Sequence, residues 1–223
     1  MKRIYTIITI ATSCLLCGCG TMGSLQVPQT IKPGKVEVMA SGHIEGSTLG
    51  DLPGGVLPNI DLNVRVGVTE HIDTRFRGTF FTAGDTGTTL GGEWTVKGAL
   101  LTAPKRRGLA LSIAGSVGYR WLTMAGTQAH LLSLTTGLVG GVWLTPNHQW
   151  LWMPKISIAH SISDGASPVS PIMVGVGTGW LWRVHKNFAI QIEGTVMYTP
   201  TGVEGTAGTF SFHMGIGLRF GGS

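Results

Sequence analysis

Apolar and polar residues alternate along most of the chain with a period of two. One segment has apolar side chains at every second position, namely Ile60, Leu62, Val64, Val66 and Val68. The residues between them are polar, charged or glycine, and similar alternation returns in residues 188–199 and 209–220. A period of two places the two sets on opposite faces of an extended strand. The chain is therefore predicted to be all-β, with strands that are apolar on one face and polar on the other.

About ten strands are predicted from this alternation and from the turn residues that interrupt it. They cover residues 35–44, 58–69, 72–82, 90–103, 109–121, 131–145, 149–162, 171–184, 188–199 and 209–220. Short connections at 70–71, 104–108, 146–148 and 185–187 alternate with longer Gly-rich ones at 45–57, 83–89, 163–170 and 200–208, and residues 122–130 are intermediate. This order predicts an up-and-down antiparallel meander, and about eight to twelve strands are compatible with the pattern.

Alternation alone fits both a soluble β-sandwich and a membrane β-barrel, because each has one apolar face. Small residues crowd the polar face, as at Ala110, Ser112 and Ala114, and small side chains suit a narrow lumen. Six of the seven tryptophans, all but Trp143, share the parity of the apolar face and lie near predicted strand ends, as in aromatic girdles. Strands of about 11 to 15 residues also fit an apolar band crossed at a tilt. These observations favour the barrel.

The composition excludes several other classes of protein. Only 12% of the residues are charged and 43% are hydrophobic, which is a low charge content for an ordinary soluble surface. After the N-terminal segment no apolar run approaches the roughly 20 residues of a spanning helix, so a helical membrane bundle is excluded. The 35 glycines show no triplet period, which excludes collagen. The basic residues behind the net charge of +5 are scattered, so nucleic acid is not an expected partner.

The N-terminus has the features of a secretory signal. Lys2 and Arg3 precede a mostly apolar stretch at residues 4–16, and small residues follow. The sequence Leu16-Cys17-Gly18-Cys19 resembles the lipobox of bacterial lipoproteins. That resemblance implies cleavage after Gly18, acylation of Cys19 with palmitate-type chains, and anchoring in a membrane. An ordinary signal peptide is the alternative.

The predicted organisation has three parts: a signal peptide at 1–18, an N-terminal tether at 19–34 and a barrel at 35–223. The tether is polar with two prolines, and a segment folded into the barrel is an alternative interpretation of it. All three cysteines lie at or before Cys19, so no disulfide is expected in the rest of the chain.

Nearly the whole mature chain resembles the bacterial outer-membrane β-barrel family, including a last strand of alternating apolar residues that ends in the aromatic Phe220. Three further residues follow Phe220, which departs from the family's terminal pattern. The resemblance implies a closed antiparallel transmembrane β-barrel surrounded by outer-membrane lipid. If Cys19 is held at the inner leaflet, the short turns face the periplasm and the long connections face outward. A lipid in the outer leaflet is the alternative.

Charged residues on the polar face would point into the lumen of such a barrel. The bases are Arg65, Arg75, Arg77, Lys97, Arg120, Lys155, Arg183 and Arg219, and the acids are Glu37, Asp61, Asp73, Glu93 and Glu193. Eight bases against five acids leave a net charge of +3. In one interpretation these side chains pair and fill a narrow barrel. In the other the lumen passes small anions, and the mid-strand residues Arg65, Arg77, Lys97, Lys155 and Glu193 line its constriction.

No catalytic residue, metal site or cofactor is predicted. The segment His160–Asp164 contains residue types used in acyl transfer, but His160 and Ser161 point to opposite faces of a strand, and the outward neighbour Ile162 has no hydroxyl. The glycines at 175–179 continue the strand alternation into Trp180, so small lumen-facing residues explain them better than a phosphate loop does. Histidines in the short turns, at 71, 148 and 185, are interpreted as polar turn residues.

These features favour a non-catalytic envelope protein, a lipid-anchored barrel that serves as a scaffold or presents surface loops to an envelope or surface protein. A narrow channel for small anions or other solutes is the first alternative. An outer-membrane lipid-modifying hydrolase that uses His160 is the second.

Overall fold

The computed structural model describes residues 25–49, 52–82, 87–103, 107–124, 127–163, 170–200 and 208–221. Within these ranges the chain forms ten strands. They are β1 (Val36–Leu49), β2 (Leu52–Gly67), β3 (Ile72–Thr82), β4 (Gly87–Leu101), β5 (Gly108–Met124), β6 (Thr127–Thr145), β7 (His148–Ser163), β8 (Ile172–His185), β9 (Phe188–Thr199) and β10 (Thr209–Gly221). Each predicted strand overlaps one of them. Among the described residues no helix is long and apolar enough to span a membrane.

The strands form one closed antiparallel barrel. Each strand pairs with its neighbours in the sequence, and β1 closes the barrel by pairing with β10 as well as with β2. At the seam, Val38 lies opposite Phe220 and Glu45 opposite His213. Closure leaves no unpaired sheet edge, so backbone groups of the wall can bond within it. The prediction of a closed up-and-down barrel of about ten strands is confirmed.

The strands extend further than the alternation predicts at the end that carries the long connections. Residues 45–57 were expected to be a loop, yet β1 continues to Leu49 and β2 begins at Leu52. Similarly, β5 continues to Met124 and β6 begins at Thr127. Antiparallel pairing needs only backbone hydrogen bonds, so a hairpin can continue beyond the segment whose side chains alternate. The pattern of side chains therefore marks only part of each strand.

The wall is apolar outside and polar inside, which is the reverse of a soluble protein. On β2, Ile60 and Leu62 are 66% and 57% exposed, whereas Asp61 and Asn63, which follow them in turn, are each 3% exposed. Trp94, Trp150, Trp180 and Trp182 are likewise exposed. Trp143 is buried and lies inside, as its parity predicts. The large apolar side chains therefore cover the outer surface. Only surrounding lipid would remove them from water.

The end of the barrel that carries the short turns also receives the N-terminal segment. Residues 25–31 lie inside the barrel, where Leu25, Val27 and Ile31 are buried. At the mouth, Gly34 N–H donates to Gly67 O at 2.9 Å, and Gly67 N–H donates to Lys35 O at 3.0 Å. A Cβ on Gly67 would collide with the backbone oxygens of residues 31 and 32, so this position accommodates only glycine.

Candidate functional site in the lumen

The five residues predicted to line a constriction all lie in the lumen. Arg65 on β2, Arg77 on β3, Lys97 on β4, Lys155 on β7 and Glu193 on β9 are each buried. Two of them approach one carboxylate: Arg65 Nη2 lies 2.5 Å and Lys97 Nζ 3.4 Å from Asp73 Oδ2. The other three, Arg77, Lys155 and Glu193, make further interactions of their own.

Arg65, Lys97 and Asp73 belong to a group near the short-turn end, together with Glu37 and Arg219; we call these five residues the turn-end cluster. Arg65 Nη1 lies 3.4 Å from Glu37 Oε1, and Arg219 pairs with the same oxygen. Three cations therefore share two carboxylates. The excess of positive charge leaves N–H donors available for neutral acceptors, and backbone carbonyls are those acceptors.

Those carbonyls come from residues 25–31, which we call the lumen plug. Lys97 Nζ donates to Val27 O at 2.6 Å and to Gln29 O at 2.8 Å, and Arg219 Nη1 donates to Leu25 O at 2.9 Å. Three further wall side chains donate to plug carbonyls, namely Arg65 to Gln29, Ser112 to Pro28 and Gln191 to Gln26. In the part of the chain that the structure describes, the plug joins no strand ladder, so these side chains satisfy its carbonyls instead.

An apolar contact holds the same segment from the other side of the lumen. Val27 packs in a buried cluster with Trp143, Leu151, Leu181 and Ala189. This cluster explains why Trp143 departs from the parity of the other tryptophans, because its ring covers the plug instead of facing outward. The segment is thus fixed both by hydrogen bonds and by packing.

A second group of charged residues fills the lumen beyond the plug. It consists of His43, Glu45, Asp61, Arg77, Arg120 and His213, which we call the central cluster. Arg77 Nε lies 2.8 Å from Asp61 Oδ2, and Arg120 Nη1 lies 2.7 Å from Glu45 Oε2. Because Arg120 is on β5 and Glu45 on β1, with three strands between them in the wall, their ion pair spans the lumen.

The histidines and Glu45 of the central cluster were not predicted as site residues. Residue 43 lies in the first predicted strand and residue 45 in a predicted loop, so neither was placed in the lumen. The available signal was the sequence His43-Ile44-Glu45, which continues the polar-apolar alternation into that loop, and the inward parity of His213. The contact between the two histidines joins the first and last strands. A closed barrel predicts that these strands are neighbours, but not the register that brings the two rings together.

Little space remains between these side chains. One cavity of about 20 Å³ lies among the turn-end cluster and the plug, and another of about 30 Å³ lies beside Gln26, Glu93 and Lys155. A cavity of this size accommodates one or two water molecules. Side chains and the plug therefore occupy the lumen around both cavities.

His160 has a partner on the outer surface that the sequence did not indicate. Ser161 is buried inside and His160 is exposed outside, which confirms that the two point to opposite faces. However, His160 Nδ1 lies 2.7 Å from Ser170 Oγ. Ser170 precedes β8, and the intervening residues 164–169, with Asp164, lie outside the described residues. Ser170 falls in a predicted connection, so the alternation did not place it beside His160.

The remaining candidates are simpler. The glycines at 175, 177 and 179 lie within the continuous strand β8, as the interpretation of small lumen-facing residues requires. His148 stacks on Trp182 with ring centroids 6.1 Å apart. The proposed lipid-attachment residue Cys19 lies outside the described residues.

Comparison with known proteins identifies the fold. No protein-family model matches the chain, and no curated protein sequence matches it. Among solved structures, the outer-membrane protease OmpT of Escherichia coli is 9% identical with a TM-score of 0.54, over 89% of this chain and 100% of that one. Neisserial surface protein A is 14% identical (TM-score 0.41; 83% and 96% covered). Ail of Yersinia pestis is 13% identical (TM-score 0.37; 84% and 99% covered). The likeness to OmpT shows an outer-membrane-type barrel fold, and at 9% identity it shows the fold alone.

Proposed function

We propose that this chain is a non-conducting, lipid-anchored barrel of the bacterial outer membrane that presents its long connections to an envelope or surface protein. The observation that carries the proposal is a filled lumen within an apolar wall. The outer surface suits lipid, whereas the plug and the ion pair between Arg120 and Glu45 occupy the space that a pore would need. A barrel without a passage would act by holding its connections at the membrane surface.

A narrow anion channel is less well supported. A permeating anion needs cations whose charge is free to attract it. Arg65, Arg77 and Lys97 instead face carboxylates at 2.5 to 3.4 Å. Lys97 and Arg65 also donate to plug carbonyls, which uses further donors. Cations that contribute to the positive net charge predicted for the lumen thus bind carboxylates and the plug.

Planar-bilayer recording separates the platform from the channel. We expect the purified protein to give no current steps at either polarity, in bilayers where an open porin conducts. A mock preparation from cells without the protein is the control for contaminating pores. Reproducible steps that appear only with this protein would contradict the proposal.

A photo-crosslinker tests the platform role directly. We expect the exposed residue Pro200, at the end of β9 that carries the long connections, to give a protein adduct of defined mass in intact cells. The matched control is the crosslinker at Ile192, which is on the outer face of the same strand and would meet lipid. Adducts of the same protein from both positions, or from neither, would contradict a partner at the connections.

The proposed anchor is Cys19, on the strength of its lipobox-like sequence. We expect Cys19→Ala to lose incorporation of a clickable palmitate analogue, whereas Cys17→Ala retains it. Loss of label in the Cys17 variant alone would contradict the assignment of the lipid to Cys19.

A second candidate function is acyl hydrolysis of membrane lipid, favoured by the contact between His160 and Ser170. An imidazole 2.7 Å from a hydroxyl can accept its proton and so activate the oxygen as a nucleophile. Both groups are exposed on the outer surface, where lipid acyl esters would meet them.

Phospholipid hydrolysis by the detergent-solubilised protein tests this candidate. If it is correct, Ser170→Ala and His160→Ala abolish fatty-acid release, and Ser161→Ala, which alters an inward hydroxyl, leaves it intact. A wild-type protein that releases no fatty acid would eliminate the candidate.

A further inference from the structure

Three buried side chains of the central cluster converge at the seam of the barrel. His43, Glu45 and His213 each offer one ligand atom, and these atoms lie within 4.8 Å of one another. All three residues are at most 4% exposed. Two imidazoles and one carboxylate form a donor set typical of zinc and neighbouring divalent transition metals.

Unpartnered nitrogen atoms give a second, independent indication. Within the described ranges neither Nδ1 nor Nε2 of His213 has a hydrogen-bond partner, and the side chain is only 1% exposed. A buried imidazole without a partner for either nitrogen costs stability. Its ring centroid lies 4.6 Å from that of His43, so the two rings approach each other without a hydrogen-bonding group to explain the contact. A metal ion between them would supply the missing partner.

The distances and the surroundings suit such an ion. His43 Nε2 lies 3.3 Å from Glu45 Oε1, and two ligands at 2.0–2.1 Å from a tetrahedral ion are about 3.3 Å apart. Arg120 binds the other oxygen of Glu45, which leaves Oε1 available. The second ring nitrogen of His43, Nδ1, lies 3.2 Å from Asp61 Oδ2, the kind of carboxylate contact that orients metal-binding histidines.

Two adjacent strands, β1 and β10, bring these three side chains together. His43 and Glu45 are two positions apart on β1, so both point inward, and His213 lies directly opposite Glu45 on β10. Gly215 is opposite His43. A Cβ there would lie 2.9 Å from His43 Cβ and 3.2 Å from His213 Cε1, so glycine keeps room for both imidazoles.

We propose that His43, Glu45 and His213 bind one divalent transition-metal ion, with zinc as the reference ion, that cross-links the first and last strands inside the lumen. Three protein ligands leave a fourth position for water. Calcium and magnesium are excluded as preferred ions because they select oxygen ligands. The site stands whether or not the chain has the function proposed above.

The test uses the untagged mature protein, purified from membranes in detergent and stripped with a chelator. We expect one zinc ion per chain by metal analysis after dialysis against micromolar zinc. We also expect zinc to raise the temperature at which the compact electrophoretic form is lost. Calcium at the same concentration should have neither effect.

Variants locate the site. We expect His213→Ala to lose the stoichiometric zinc and the thermal shift, and His148→Ala, which alters the histidine at the start of β7, to keep both. His213→Gln, which keeps a polar side chain of similar size, guards against a folding defect in the alanine variant, and metal analysis is read only on the compact form. Absence of bound zinc in the compact wild-type protein, or retention of it by both His213 variants, would overturn the proposal.

Discussion

Lys97 shows how much a single inward side chain contributes to the closed lumen. Its Nζ contacts Val27 O at 2.6 Å, Gln29 O at 2.8 Å and Asp73 Oδ2 at 3.4 Å. Hydrogen bonds from charged groups contribute about 1.5–3 kcal/mol each, and carbonyls left without a donor lose that contribution. We therefore expect Lys97→Met, which keeps most of the volume, to lower the free energy of unfolding by about 2–4 kcal/mol. Urea unfolding followed by tryptophan fluorescence measures it.

Lys32 provides the control for that variant, because it directly follows the plug in the chain and its side chain is exposed. Lys32→Met should change stability by no more than about 0.5 kcal/mol. Equal urea midpoints for the two variants would show that the contacts of Lys97 with the plug contribute nothing.

The direction of Lys97 could be predicted from the sequence, but its partners could not. Parity along β4 places residues 93, 95 and 97 inside, and the structure agrees. Its acceptors are backbone carbonyls 68 and 70 residues earlier, in a segment without alternation. Every residue has a backbone carbonyl, so composition and pattern cannot identify which carbonyls Lys97 binds. Only the folded barrel brings Lys97 and the plug together.

At the scale of an element, the lumen plug behaves as an internal part of the barrel. We expect a cysteine at Val27 to react slowly with a maleimide in the folded protein, because Val27 is 5% exposed and packs on Trp143. A cysteine at the exposed Lys35 should react quickly. A refolded chain beginning at Gly20 contains no native cysteine, so each variant carries a single thiol, and labelling is followed by the mass increase.

Heat-unfolded samples of both variants provide the reference for intrinsic reactivity, since the two thiols should then react at the same rate. Equal rates in the folded state would contradict a plug seated in the lumen.

The strands and the plug differ in how far the sequence predicts them. A strand between two environments must alternate, so all ten were visible. The plug is surrounded by lumen side chains on all sides and need not alternate. Its proline and polar residues equally fit a tether, and only Leu25, Val27 and Ile31 hint at burial. The extension of β1 to Leu49 and of β2 back to Leu52 was missed because backbone pairing does not require alternating side chains.

At the scale of the whole molecule, the inverted arrangement of polar and apolar surfaces is the feature that the sequence predicted most completely. Every second residue of β2 from Ile60 to Val66 faces outward, and those between face an interior of ion pairs. A soluble fold would place the apolar set against its own core. Partners on strands that face each other across the barrel depend on closure, and the ion pair between Arg120 on β5 and Glu45 on β1 is of this kind.

The apolar wall predicts a penalty for charge that depends on position along a strand. Ile192 is 53% exposed near the middle of β9, and Val184 is 48% exposed beside the short-turn end of β8. In a bilayer, arginine costs about 2–4 kcal/mol at the midplane and about 0–1 kcal/mol near the interface. We expect Ile192→Arg to lower the unfolding free energy in lipid vesicles by the larger amount and Val184→Arg by the smaller. Since both positions are similarly exposed, a water-soluble barrel would tolerate the two substitutions equally, and equal effects in the vesicles would contradict membrane insertion.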